Sequence, residues 1–112
     1  MSEFVALQQA FADTMADFLC WIKAQTDADG RRLYAVTFGD FQAHDGHMNN
    51  SCHYIRLAAD LHLFIGGAYQ SDSEAHRPLG EKWKSMHPLA RWGGDFPTPD
   101  GNHYSFAYQG RA

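Results

Sequence analysis

Two imidazoles and two carboxylates from residue 53 onward in this 112-residue chain have the types and spacing for metal chemistry: His53, Asp60, Asp100 and His103. Residues 58 to 65 read as a strand in which Ala59, Leu61, Leu63 and Ile65 point into a core while Ala58, Asp60 and His62 point the other way. Residues 103 to 108 read as a last strand, with Tyr104, Phe106 and Tyr108 on one face and His103, Ser105 and Ala107 on the other. Asp60 and His103 therefore each stand on a face otherwise lined by small residues, and His53 lies just upstream of the first strand. Two imidazoles and one carboxylate, with a fourth position left to water, form the ligand set of a catalytic zinc ion. A structural zinc would close the tetrahedron with a fourth protein ligand. Asp100, three residues before His103 in a Pro-Asp-Gly turn, is the candidate base for such a water. Asp-Gly is also a common turn pair, and it is the fixed offset to His103 that favours chemistry over turn formation.

The other histidines in this set of seven are weaker candidates. His44 and His47 have a ligand-like spacing but sit beside Asp45 and Gly46, and read as solvated or substrate-facing rather than as a second metal site. His62 is either a neighbour of the ligands or exposed, and His76 and His87 read as surface residues. His44, His47 or His87 could donate to a developing oxyanion, and the sequence does not choose among them. Arg56 could bind a substrate carboxylate or form a structural ion pair. Trp83 and Trp92 read as packing aromatics, with Trp92 the better candidate for the wall of a groove. Cys52 beside His53 is no nucleophile pair, because adjacent residues on an extended strand face opposite ways.

The elements that position these residues are legible from periodicity. Phe4, Leu7, Phe11, Met15, Phe18, Leu19 and Ile22 form one stripe, which predicts an amphipathic helix over residues 3 to 25 with Ser2 as its N-cap. Thr26 to Gly30 supplies turn formers before a strand over 33 to 38, and residues 39 to 50 read as a long surface loop. Gly66-Gly67 predicts a hairpin turn with a short return strand over 68 to 70. A helix is predicted over 73 to 86, capped by Ser73, with Leu79, Trp83 and Met86 inward, followed by a Gly- and Pro-rich loop from Arg91 to Asn102. The whole is an α+β fold: a small, mostly antiparallel sheet carrying the metal face, with both helices packed on its other side.

Composition sets the outer bounds. A chain of 112 residues, 45% apolar and 14% aromatic, supports a single domain over 1–112 and excludes a disordered chain. Nine Lys and Arg against thirteen Asp and Glu give a net charge of −4, which argues against nucleic acid as a partner. Polar residues within the first helix exclude a signal peptide and a membrane span. Cys20 and Cys52 fit a reduced site of synthesis, in the cytoplasm, and a monomer is expected.

The segment Ser51-Cys52-His53-Tyr54-Ile55-Arg56-Leu57-Ala58-Ala59-Asp60-Leu61 resembles the S-x-H-x(6)-D signature of the M15 zinc metallopeptidases, and Asp100-Gly101-Asn102-His103-Tyr104 resembles their D/E-x-x-H-F/Y element. Trp92-Gly93-Gly94-Asp95 is similar to the WGGD that precedes that element in phage endolysins of the group. The resemblance covers residues 51 to 108. It implies one Zn2+ per chain held by His53, Asp60 and His103, Asp100 as the base, and Ser51 supporting the first ligand. The implied activity is cleavage of peptidoglycan stem peptides, by an endolysin-like L-alanyl-D-glutamate endopeptidase or a D-alanyl-D-alanine peptidase. Such an enzyme would reach the wall only after release or permeabilisation of the membrane by a separate partner. Two departures stand out: Ser105 occupies a position where many members have Glu, and Phe41, Gln42 and Ala43 stand where several have an Arg. They motivate the competing expectation of a non-catalytic, zinc-containing wall-binding module.

Overall fold

The computed structural model describes residues 2–39, 57–110 and 112. Its elements run α1 (Glu3–Ala24), β1 (Tyr34–Phe38), β2 (Ala58–Ile65), β3 (Ala68–Gln70), α2 (Arg77–Met86), β4 (Ala90–Trp92) and β5 (His103–Phe106). The five strands form one sheet in the order β1-β2-β5-β4, with β3 also pairing β2, and every pairing is antiparallel. The fold is α+β. Among the described residues no helix is long and apolar enough to cross a membrane.

α1 begins where Ser2 Oγ accepts the Val5 amide, and Glu3 in the first turn meets the positive end of the helix dipole. Its buried residues, Phe11, Met15, Phe18 and Ile22, recur at the helical period. That stripe packs on the sheet face carrying Tyr104 and Phe106: ring centroids lie 5.2 Å apart for Phe11 and Phe106 and for Phe18 and Tyr104, with Trp83 of α2 5.2 Å from Phe18. Each such aromatic pair adds about 0.5–1.5 kcal/mol beyond the area it buries. Both helices thus cover one side of the sheet. Side-chain alternation then assigns Asp60, His103 and Ser105 to the opposite side.

β2 is the longest strand and organises the rest. One edge pairs with β1 from Leu61 to Ile65. The other edge is shared: Ala58 to Asp60 pair with β5, and Leu63 to Ile65 pair with β3. The β2–β3 hairpin turns on Gly66 and Gly67, with φ of 58° and 82°, values that favour glycine at both positions.

Three features differ from the sequence expectation. The helix expected over 73 to 86 is divided: Ser73–His76 forms a 3₁₀ turn and the α-helix starts at Arg77, where Pro78 fits because the first turn needs no amide donor. The cap of the 3₁₀ turn is Asp72, whose carboxylate accepts the Glu74 amide, and not Ser73. Finally, Ala90 to Trp92, the last two of which were expected to open a loop, form strand β4, because β5 offers a free edge that the short segment can pair.

Candidate metal centre

The register of β2 and β5 builds the centre. Asp60 and His103 are direct cross-strand partners, so their side chains leave the same face of the sheet side by side, with His103 Nδ1 3.8 Å from Asp60 Oδ1. Asp100 joins them from the turn before β5. One ligand atom from each of Asp60, Asp100 and His103 falls in a set whose members all lie within 4.8 Å of one another, a group that could hold a metal ion. His103 is buried, Asp60 half-buried and Asp100 exposed, so the set opens to solvent on the Asp100 side. Two carboxylates and an imidazole are borderline-hard donors suited to Zn2+ or a similar divalent ion.

Close backbone approach positions each member. A Cβ on Gly39 would come 2.9 Å from Asp60 Cβ and 3.0 Å from His62 Nε2, so only glycine leaves β1's end beside Asp60. The Gly39 amide donates to the Asp60 carbonyl at 2.8 Å. Asp100 is held by the segment Trp92-Gly93-Gly94. The Asp100 amide donates to the Gly93 carbonyl at 2.9 Å, and the Asp100 carbonyl in turn accepts from the His103 amide at 3.1 Å. A Cβ on Gly93 would lie 2.1 Å from the Asp100 carbonyl oxygen and 2.8 Å from His103 Cβ. From the next residue, the Gly101 amide donates to Ser73 Oγ at 2.9 Å while its carbonyl accepts from Trp92 Nε1 at 2.7 Å. The hydroxyl expected to cap a helix instead fastens the loop that carries Asp100.

The structure thus brings Asp60, Asp100 and His103 together, while His53, Ser51, Arg56, His44 and His47 lie outside the described residues. Trp92 is the packing aromatic that its sequence reading favours and not the groove wall offered as its alternative: it is buried, flanked by Gly80 and Gly94, whose positions leave no room for a Cβ against its ring, and it braces the Asp100 loop. His87 stacks on Phe106 at 4.3 Å, on the helical side of the sheet, which removes it as an oxyanion donor.

His76 requires a correction. Expected on the surface, it is buried, and its Nδ1 lies 2.7 Å from the hydroxyl of Tyr104, next in sequence to His103. Burial pushes the His76 imidazole down to about 4, with the charge of nearby His62 acting in the same direction. Burial likewise raises the Tyr104 phenol far above its ordinary value. Both rings are therefore neutral at physiological pH. Ser105, also on the metal face, is fully buried, and its Oγ has no hydrogen-bond partner among the described residues.

The signals for Gly93, Ser73 and His76 were weak in the sequence. The glycine pair after Trp92 hints at close packing, but nothing local links residue 73 to residue 101 or residue 76 to residue 104. Compared with known proteins, the chain matches no family model and no curated protein.

Proposed function

We propose that the protein is a zinc-dependent peptidase that cleaves the stem peptides of peptidoglycan. The observation that carries this reading is the convergence of Asp60, Asp100 and His103 within 4.8 Å, with the carboxylate nearest the solvent on the turn three residues before the histidine. The resemblance of residues 51 to 61 and 100 to 104 to the M15 signatures adds His53 as the further ligand and names the substrate class. A zinc ion bound here would supply Lewis-acid chemistry, acidifying water and polarising the scissile carbonyl.

The protein's own groups do the rest. Asp60 and His103, fixed by strand register, bind and orient. Asp100, exposed and tethered through its backbone on both sides, takes a proton from the attacking water on a carboxylate oxygen and returns it to the leaving amine. A second reading has one observation in its favour: Asp100 lies close enough to the other two to be a ligand itself, which would make the site a metal-holding module without a base.

Incubation of purified peptidoglycan with the zinc-loaded protein, followed by mass analysis of released peptides, tests the proposal and identifies the bond. Release of stem-peptide fragments that stops on chelation is the expected result. A protein that holds zinc and releases nothing would favour the binding module.

A further inference from the structure

A pocket of about 210 Å³ opens beside the metal centre, in the break of the sheet where β3 ends and β5 has not begun. That volume lies below the ~300–1,000 Å³ of pockets for drug-sized ligands and suits a single ring. Its described walls include Tyr69, Gln70, Ser71, His76, Asn102 and Asp100, the last shared with the metal cluster. Three polar side chains of the lining are tied before any ligand arrives. Gln70 Nε2 donates to the Ala68 carbonyl at 3.0 Å, Ser73 Oγ accepts from the Gly101 amide at 2.9 Å, and His76 Nδ1 lies 2.7 Å from the Tyr104 hydroxyl. A preformed lining of amides and hydroxyls offers donors and acceptors together, as the ring hydroxyls and acetamido group of a sugar require. Pro99 is the one aliphatic side chain among the described lining residues, so the methyl groups of a peptide would bury little there.

Tyr69 adds a flat apolar surface to this polar pocket. It is the cross-strand partner of Phe64, which puts it on the sheet face of Asp60 and His62. Its ring centroid lies 5.6 Å from that of Phe64 and 6.0 Å from that of His62, so two neighbours brace it, yet Tyr69 remains 54% exposed. Val5 and Phe38, the other exposed large apolar residues among those described, are not part of the described lining. One face of a pyranose ring carries C–H groups whose partial positive charge matches the electron-rich face of an aromatic ring. A braced aromatic beside oriented amides therefore complements a sugar twice, the apolar face against Tyr69 and the hydroxyl-bearing edge against Gln70, Ser71 and Asn102.

We propose that this pocket is the subsite for one N-acetylated sugar ring of the glycan strand, with Tyr69 as its stacking platform. The proposal rests on the peptidoglycan reading of the neighbouring metal centre and deepens it: the substrate is a stem peptide still attached to its sugar, and the glycan lies on the β3 side of the metal. Tyr69 selects sugar-bearing substrate and takes no part in the chemical step.

The test is nuclear magnetic resonance of the zinc-loaded protein with two probes, methyl N-acetyl-β-D-glucosaminide and N-acetyl-D-alanine amide. The sugar is expected to shift the signals of Tyr69, Gln70, Ser71 and Asn102, and the amide at the same concentration to leave them in place. Tyr69→Ala should weaken the sugar by about twofold to tenfold, the range for one lost aromatic contact, whereas Tyr69→Phe, which keeps the ring, should retain most of the affinity. Zinc content should not change in either variant. In peptide release, Tyr69→Ala should raise KM for a disaccharide-bearing stem peptide at least about twofold more than for the same peptide without its sugar, with little effect on kcat. The proposal is overturned if the amide shifts the four residues as much as the sugar does, if the sugar shifts residues away from the pocket, or if Tyr69→Ala leaves the sugar affinity unchanged. Wild-type protein that releases no peptide while the sugar still shifts these residues would overturn the peptidase reading and leave the subsite standing.

Discussion

Asp60 and His103 are held by the regular part of the molecule and Asp100 by its irregular part. The first two stand on paired strands, and the ladder that fixes them also closes the core beneath. Displacing either means breaking sheet register, since a slip of one residue would turn each side chain to the helical face. Asp100 has no such ladder. Its place is set by two backbone bonds, to Gly93 and His103, and by the neighbouring bonds of Gly101 to Ser73 and Trp92. On the peptidase reading proposed above, groups that would hold a metal benefit from the stiff frame, and a group that would exchange protons with a substrate benefits from a tether that is accurate yet exposed.

Substitutions can separate these two modes of support. The largest contrast is between His103→Ala and Asp100→Asn. The former should eliminate zinc binding and all lytic activity, as measured by elemental analysis and peptide release on one preparation. The latter should keep the zinc and lower the rate by at least about 10²-fold, the lower end for loss of a general base. Loss of zinc from Asp100→Asn would make Asp100 a ligand, and unchanged release would make it a turn residue. Next comes Gly93→Ala. Its new methyl would overlap the Asp100 carbonyl, backbone that cannot swing aside, so a destabilisation of ~3 kcal/mol is expected in denaturant unfolding, with the rate falling as well.

The helix-covered frame also has an acid weakness in His76. The unfolded imidazole titrates near its ordinary value of 6.5, whereas the folded one resists protonation until about 4. The stability this group contributes is therefore intact above about pH 6.5, declines as the pH falls below that, and is lower by roughly 3 kcal/mol near pH 4. His76→Gln should flatten that part of the profile in urea titrations across the range. The smallest effect is expected from Ser73→Ala. Losing the bond to the Gly101 amide should cost ~1 kcal/mol and slow release severalfold while zinc stays bound, because only the loop-borne member is loosened.

The same division explains what could be read from the sequence. α1, β2 and the β2–β3 hairpin follow from local pattern: a helical stripe from Phe11 to Ile22, strict alternation around Asp60, and two glycines where φ is positive. The pairing of Asp60 with His103 was half legible, since alternation gave each its face and the structure supplied the register. β4 was not legible because three residues beside a glycine pair carry no period, and their strand state comes from the edge of β5. The roles of Ser73 and His76 depend on partners 28 residues away, and a polar side chain buried by a distant phenol leaves no trace in its own neighbourhood.

The shared edge of β2 works as a ruler. Asp60, the last residue to face β5, and Leu63, the first to face β3, are three steps apart, about 10 Å at ~3.3 Å per residue. That interval, Leu61 and His62, sets how far the hairpin stands from the turn that carries Asp100, and hence the width of the opening between them. Inserting a pair of residues there would preserve which side chains face which side while widening the gap by about two more steps, near 7 Å. A single inserted residue would instead reverse every side chain beyond it. Related chains could thus change the size of what they admit in increments of two, with the pairing of Asp60 and His103 left untouched.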